Sequence, residues 1–371
     1  MCIRDSRWVQ RYEPLPAGLP ASQRLRRGGV CLITGGLGGV GLALAEWLVE
    51  QGAGCLVLAS RGGGDASVQA RAAHLAGRGT EIRIRAADVR DGAAVAALVA
   101  ACDTPAFALR GVVHAAGVVQ DAVLANERWA RMRESMAVKV DGAWHLHLAT
   151  RALALDWFVL CSSAAALLGP AGQGAYAAAN AFLDGLAHHR RALKLPATSL
   201  DWGAWSGTGG ASSSQTIGRL DHYGIEPLTA REATALFAAA LADAAPQLTL
   251  MRAAWDRWRA ARGHVPLLSD MTAGRANEIG SPQAGAALAL ERYLRDAVAS
   301  GLGVDPSAID PARSLAEMGF DSLMAVELRS RLERDRGLRV PIALVFKAVT
   351  LAQLTRDVQS RAARIGEAVH A

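Results

Sequence analysis

The sequence predicts an α/β protein: a Rossmann-like doubly wound parallel sheet, followed by a small all-α four-helix bundle. Three observations predict it. From Val30 to about Asp270, short β-rich apolar runs alternate with helical stretches, the pattern of βαβ units under a covered parallel sheet. The first of those runs enters a glycine-rich turn and then a helix. Beyond residue 285, apolar residues recur at helical spacing and nothing alternates like a strand.

Strands are expected at Val30–Thr34, Cys55–Ser60, Glu81–Ala86, Leu109–His114, Phe158–Ser162 and Thr198–Asp201. Helices are expected between them at about 40–51, 66–76, 91–101, 126–151, 173–194 and 230–244. Residues 1–28 are polar, proline-containing and arginine-rich, and read as a linker or remnant of a preceding structural subdomain. The α/β domain occupies 29–270, and 271–285 has the Gly, Ser, Pro and Asn chemistry of a linker. The bundle fills 286–365, with helices at Ala286–Leu302, Ser322–Asp335, Ile342–Lys347 and Leu351–Ala363. The short tail after it leaves no room for another domain.

Composition narrows the functions. With 371 residues, 51% hydrophobic and 20% charged, the chain has material for two or three packed domains of roughly 100–200 residues each. No apolar run approaches the roughly 18 residues of a membrane span; Phe158–Leu168 comes nearest and is broken by Ser162 and Ser163. The net charge of +6 invites a nucleic-acid reading, but only three of the 40 basic residues are lysine and the arginines are scattered among acids. Five cysteines (2, 31, 55, 102, 161) form no CxxC pair and no metal-ligand spacing, so no metal is expected. Cys31, Cys55 and Cys161 sit in strand-like runs as small hydrophobes, which points to a reducing, cytoplasmic setting. Met1–Ser6 has no apolar signal-peptide core, nor does it read as a natural domain start.

The glycine turn is Thr34-Gly35-Gly36-Leu37-Gly38-Gly39-Val40-Gly41, satisfying both GxGxxG and TGxxxGxG between a strand and a helix. In that context, missing side chains let the backbone approach a pyrophosphate at the helix N-terminus. A nicotinamide nucleotide lacking the 2′-phosphate calls for an acid at the end of the second strand. Ser60-Arg61 stands there instead, 19 and 20 residues after Gly41, and an arginine fork suits the 2′-phosphate of NADPH. Asp88-Val89, after the third strand, is placed to contact the adenine. Ala115-Ala116-Gly117, after the fourth, is small enough for the cofactor to lie against the backbone.

Ser162 and Ser163 follow the strand at Phe158, Tyr176 comes thirteen residues after Ser163, and Asn180 lies one helical turn beyond Tyr176. Lys139 is upstream on the helix 126–151. Reduction of a carbonyl by hydride leaves an alkoxide that needs a proton. A tyrosine supplies it if a nearby cation lowers its pKa from about 10, and a serine hydroxyl holds the carbonyl oxygen. Each residue alone has a plainer reading as a turn cap, a core aromatic or a solvated cation. Jointly, behind a nucleotide loop, they point to hydride chemistry.

At these residues the sequence resembles the ketoreductase domain of modular (type I) polyketide synthases, within the short-chain dehydrogenase/reductase superfamily. That branch exchanges the lysine and asparagine of the usual Tyr-xxx-Lys. Here Tyr176-Ala-Ala-Ala-Asn180 pairs with Lys139 in Lys-Val-Asp-Gly-Ala-Trp. The stretches Gly172–Asp184 and Leu200–Trp205 are also close to the family pattern. The resemblance implies Ser163, Tyr176, Lys139 and Asn180 as the catalytic set. Trp202–Trp205 with the Gly/Ser-rich 206–215 resembles a lid over cofactor and acyl chain. Of the family's Leu-Asp-Asp stereocontrol motif, Val119-Gln120-Asp121 keeps only Asp121, and the opposite marker, a tryptophan eight residues before the tyrosine, is Leu168. The balance leans to a (3R), D-hydroxy product.

In the bundle, Gly319-Phe320-Asp321-Ser322-Leu323 closely resembles the attachment motif of acyl carrier proteins. The alternative for Ser322 is a helix N-cap; the resemblance implies covalent 4′-phosphopantetheine there, its phosphodiester at a helix N-terminus. Together the resemblances imply NADPH-dependent reduction of a carrier-bound β-ketoacyl thioester to a β-hydroxyacyl thioester. The implied partners are upstream ketosynthase and acyltransferase domains and a phosphopantetheinyl transferase, with any homodimer formed through the upstream part. Arg7–Pro14 resembles the end of the structural half-domain before such ketoreductases, with no enoyl reductase inserted. The length reads as the C-terminal piece of a larger synthase. Two rivals are a carrier module with a silent reductase and a discrete reductase of small ketones.

Overall fold

The computed structural model describes Cys2–Ile3, Ser6–Arg7, residues 29–207 (except 64, 78, 105–106, 121, 123–126 and 171), 220, 223–262, 266–268, 271 and 286–369 (except 303, 337, 339 and 348–349). These residues fall into two compact units, one holding 29–207 and 226–252, the other holding Cys2–Ile3, Ser6–Arg7, 220, 223–225 and the described chain from Ala253 onward. Residues 272–285, most of the expected linker, lie outside the described residues, and so do 208–215 of the expected lid.

The first unit is built on a wholly parallel sheet of seven strands. In chain order these are β1 Val30–Thr34, β2 Cys55–Ser60, β3 Glu81–Ala86, β4 Leu109–His114, β5 Trp157–Ser163, β6 Thr198–Trp202 and β7 Gln247–Leu250. Their spatial order is β7-β6-β5-β4-β1-β2-β3. The chain winds outward from β1 to β3, returns to β4 beside β1, and winds the other way. Ligands in such sheets bind outside the carboxyl ends of the strands, where the winding reverses.

The connecting helices are α1 Gly39–Glu50, α2 Ala66–Ala76, α3 Gly92–Cys102, α4 Trp129–Thr150, α5 Gly174–Ala192 and α6 Ala230–Ala242. Both faces of the sheet are covered at its centre, so the strands there read as continuous apolar runs, whereas edge strand β3 alternates Ile with Arg and stays partly exposed. Successive residues of β1 serve opposite cores. Cys31 and Ile33 pack with Leu44, Leu48 and Phe237, whereas Val30 and Leu32 pack with Val95, Leu146 and Leu183. Leu32 and Ile33 are wholly buried, each contributing about 1.5–3 kcal/mol of apolar transfer. Among the elements absent from the sequence expectation are the short edge strand β7 and the four-residue helix Ala165–Leu168.

Arg190 on α5 is completely buried. Its Nε donates to the Pro196 carbonyl (3.1 Å) and its Nη1 to the Thr150 hydroxyl (3.3 Å) and His147 Nδ1 (3.2 Å), while the guanidinium lies 3.8 Å over the Phe158 ring. Burial pushes it down to about 10. None of these partners is a carboxylate.

The second unit includes a helix α7, Trp255–Arg262, and four further helices: α8 Ala286–Leu302, α9 Ser322–Arg336, α10 Ile342–Lys347 and α11 Leu351–Val369. Leu294, Val298, Leu328, Leu332, Val345, Leu354 and Val358, drawn from all four, form its core. The turn into α9 passes through Gly319 at φ +92°, a region glycine enters at little cost. Among the described residues no helix is long and apolar enough to cross a membrane.

Candidate active site

The crevice between β1 and β4 opens on a turn with no room for side chains at Gly35, Gly36 and Gly41. Gly35 has φ +69°, and a Cβ there would stand 2.6 Å from the backbone nitrogen of Ala116. A Cβ on Gly36 would lie 2.7 Å from the Ile33 carbonyl oxygen, and one on Gly41 2.2 Å from that of Gly35. Three strand ends therefore meet backbone to backbone: Gly35 N donates to Ala59 O (2.8 Å) and Ala115 N to Thr34 O (2.9 Å). Helix α1 starts at once, with Gly38 as N-cap, no side-chain cap and no acid in its first turn. Its leading N–H groups are left for an anion. Leu37 folds inward, 9% exposed.

Thr34 and His114 close the floor of this crevice, their Oγ1 and Nδ1 2.7 Å apart. Burial, reinforced by the charge of Lys139, pushes His114 down to about 3, so its imidazole is neutral. At the rim, Ser60 and Ala86 are register partners and Ala87 N donates to Ser60 O (2.9 Å), which brings Ser60-Arg61 beside Asp88. Val89 is buried against the Gly142 backbone, and its carbonyl lies 3.0 Å from His145 Nδ1. Of the expected nucleotide residues, the structure thus brings Thr34–Gly41, Ser60, Arg61, Asp88, Val89, Ala115, Ala116 and Gly117 to one end of the sheet.

The expected catalytic side chains flank the carboxyl end of β5. Lys139, on α4 and 5% exposed, donates from Nζ to the Cys161 carbonyl at 2.7 Å and stands 5.9 Å from the centre of the Tyr176 ring. Asn180 is wholly buried; its Nδ2 donates to the Tyr176 carbonyl (2.8 Å), and its Oδ1 has no partner among the described residues. The Ser162 hydroxyl donates to the Asn180 carbonyl (3.2 Å), and Ser163 Oγ accepts from Ala165 N (3.2 Å) at the start of the short helix. Gly117 leaves the space that Lys139 fills: a Cβ would come within 3.0 Å of its Cε. A cation held beside a phenol, next to a half-buried serine hydroxyl, suits protonation of an oxygen that gains charge during reaction.

Trp202 and Trp205 are core residues rather than parts of a lid. They are 5% and 4% exposed and pack edge to face with centroids 5.0 Å apart. Backbone bonds from Leu228 N to Ala204 O and from Ser206 N to Leu228 O, each 2.8 Å, hold the segment down. Asp121 lies outside the described residues; its neighbour Gln120 accepts from the Ser135 hydroxyl (2.9 Å). Sequence reasoning passed over Arg90, which clamps Asp88, and the acid pair Asp184 and Asp201 beneath Ser162. Ser199 donates to Asp184 (2.6 Å); Gln247 and Thr249 donate to Asp201 (2.8 and 3.2 Å). Desolvation, with the nearby charge of Asp184, pushes Asp201 up to about 8.

Two family descriptions match the chain: KR domain over residues 29–207 and phosphopantetheine attachment site over residues 292–358. The chain belongs to the ketoreductase and acyl-carrier region of the modular polyketide synthases. It is 41% identical over 90% of its length to polyketide synthase GfsA of Streptomyces halstedii, of which it covers 5%. Against the spectinabilin polyketide synthase system protein NorB of Streptomyces orinoci the identity is 42%, over 90% of this chain and 16% of that protein. Among solved structures, an A-type ketoreductase of a modular polyketide synthase is 38% identical, with 69% of this chain and 55% of that one covered, at a TM-score of 0.65. The first ketoreductase of the tylosin synthase is 36% identical over 70% and 56%, at 0.62. The chain spans between 5% and 16% of the length of these two synthase proteins.

In the carrier unit, Ser322 is the first residue of α9. The N-cap alternative for it is filled by its neighbour: Asp321 Oδ1 accepts from Met324 N at 2.9 Å.

Proposed function

We propose that the ketoreductase unit reduces a β-ketoacyl thioester, tethered through 4′-phosphopantetheine on Ser322, to a β-hydroxyacyl thioester with NADPH. The observation that carries this reading is the joint placement of Lys139, Tyr176, Asn180 and Ser163 at the end of β5, beside a turn whose glycines leave no room for side chains. The turn fits the pyrophosphate of a dinucleotide, because the volumes that Cβ atoms on Gly35, Gly36 and Gly41 would fill are taken by backbone. When bound there, a reduced nicotinamide supplies hydride to the β-carbonyl carbon.

The chain's own residues do the rest. Ser163 donates to the carbonyl oxygen and orients it. As the C–H bond forms, the carbonyl π pair moves to oxygen, and Tyr176 transfers its phenolic proton to that oxygen. Lys139, braced on the Cys161 carbonyl, steadies the negative charge left on the tyrosine. Asn180 fixes the first turn of α5 through the Tyr176 carbonyl. Arg61 and Ser60 face the 2′-phosphate, and Asp88 and Val89 the adenine. Asp121 biases the face of attack toward the (3R) alcohol. We assign the ketoreductase to 29–270 and the carrier to 286–365, in a cytoplasmic synthase that supplies ketosynthase and acyltransferase from other domains.

The test is to incubate holo and apo protein with NADPH and a β-ketoacyl-pantetheine thioester, with Tyr176→Phe as control. The expected result is loss of nicotinamide absorbance that the substitution abolishes. No loss, or loss indifferent to the substitution, leaves a silent reductase beside a carrier. Mass spectrometry after phosphopantetheinyl transferase treatment reports separately whether Ser322 takes the arm.

A further inference from the structure

The rim of the nucleotide crevice carries a carboxylate where a phosphorylated nucleotide would be expected to meet only cations. Asp88 leaves β3 alongside Arg61 from β2, since Ser60 pairs with Ala86 and Ala87 bonds back to Ser60. An ionised carboxylate there repels a 2′-phosphate, a dianion for much of the neutral range. It is not left free. Arg90, two residues on, reaches Asp88 Oδ1 and Oδ2 through Nε at 3.0 Å each and Oδ2 through Nη2 at 2.6 Å, while its backbone N–H bonds Oδ1 at 3.0 Å. Glu134 is a second acid whose charge acts on Arg90.

We propose that Arg90 is a specificity-determining residue for the phosphorylated cofactor: by forking the Asp88 carboxylate it cancels a charge that would oppose the 2′-phosphate, and leaves Arg61 to attract it. The inference rests on the nicotinamide-nucleotide reading above. Arg90 and Asp88 are each about one-third exposed, so the pair adds little to folding. Its effect falls instead on whatever anion is brought against it. Arg90 above all, with Arg61 adding to it, holds the Asp88 carboxyl down to about 2, so the acid is ionised at every working pH. Only a permanent counter-charge neutralises it, and arginine is the side chain that supplies one.

The contrary reading is that the fork merely shapes the turn after β3. The two readings differ in a ratio rather than a rate. Fluorescence titration of the full chain with NADPH and with NADH gives that ratio, and nucleotide-dependent shifts in melting temperature give it a second time. Wild-type protein is expected to prefer NADPH. Arg90→Ala should narrow the NADPH-over-NADH preference by about tenfold, chiefly by weakening NADPH. Arg90→Lys, which keeps the charge without the fork, should fall between. Adding Asp88→Asn to Arg90→Ala removes the carboxylate and should restore most of the preference.

A ratio that stays within about twofold of wild type in Arg90→Ala, or equal weakening of both nucleotides, overturns the inference and leaves a turn-shaping fork. Failure of Asp88→Asn to restore the ratio overturns it too. A wild-type chain that binds both nucleotides equally defeats the inference while sparing the reductase reading. A wild-type chain that binds neither defeats the reductase reading itself.

Discussion

The nucleotide turn and the catalytic edge lie at the same end of one sheet but are specified in opposite ways. The turn is made by atoms that are missing: Gly35, Gly36 and Gly41 approach neighbouring backbone so closely that added Cβ atoms would sit at 2.6, 2.7 and 2.2 Å. The catalytic edge is made by atoms that are present and anchored. Lys139, Asn180 and Ser162 each donate to a main-chain carbonyl, of Cys161, Tyr176 and Asn180 respectively. The difference teaches where each region is vulnerable. The turn fails when something is added, the edge when something is removed.

The sharpest break removes one atom from the edge. Tyr176→Phe should lower kcat by about 10²–10⁴-fold, the range of a lost general acid, with NADPH affinity by fluorescence titration almost unchanged. The matching break adds one carbon to the turn. Gly41→Ala places a methyl against the Gly35 carbonyl oxygen, an overpacking that costs about 1–3 kcal/mol, so thermal stability and nucleotide affinity should fall together. If Gly41→Ala left affinity intact, the turn would not be set by exclusion of side chains.

Gly117→Ala joins the two regions, because the added methyl belongs to the turn's logic but its victim is Lys139, 3.0 Å away at Cε. Steady-state kinetics should show kcat falling by about tenfold with a smaller change in KM for NADPH, as expected when a group serving the transition state is displaced.

Smaller effects are expected from the buried titratable groups, with opposite signs. Asp201 keeps its proton in the fold up to about 8 against 3.8 for the ordinary carboxyl. The folded state therefore binds the extra proton, and this contribution is lost as pH rises from 3.8 toward 8. His114, held down to about 3 from 6.5, contributes above 6.5 and is lost as pH falls toward 3. Urea midpoints across pH should show Asp201→Asn removing a loss of stability that accrues as pH rises from about 4 to 8, by on the order of 1–3 kcal/mol, and His114→Asn removing one that accrues as pH falls from 6.5 toward 3.

Much of the fold was legible because its information is local. The six expected strands form within two residues of their expected ends: five are five- to seven-residue runs buried for most of their length, and the edge strand β3 announces itself by the alternation Glu-Ile-Arg-Ile-Arg. Strand β7 was not legible. Gln-Leu-Thr-Leu is a four-residue edge strand, and only its pairing to β6 makes it one. The same division holds in the site. Gly35–Gly41 and Tyr176–Asn180 sit in short motifs, whereas Thr34 to His114 spans 80 positions, and Gln247 to Asp201 spans 46. Arg90 was close in sequence to Asp88 yet passed over, because a two-residue separation carries no periodic signal. The tryptophans 202 and 205 misled for a related reason: indole rings beside glycines read as a mobile segment until their burial is seen.

Arg190, at 3.8 Å over Phe158 and bonded to the Pro196 carbonyl, Thr150 and His147, has a consequence for ionic strength. Its buried guanidinium is held by a ring face, a peptide oxygen, a hydroxyl and an imidazole. Mobile ions have no opposing charge to screen there, and no solvent through which to screen it. The exposed pairs, such as Arg71 with Glu46 and Arg252 with Glu226, weaken as salt is added. The fastening of α4, α5 and the loop into β6 should hold its strength from dilute buffer to brine.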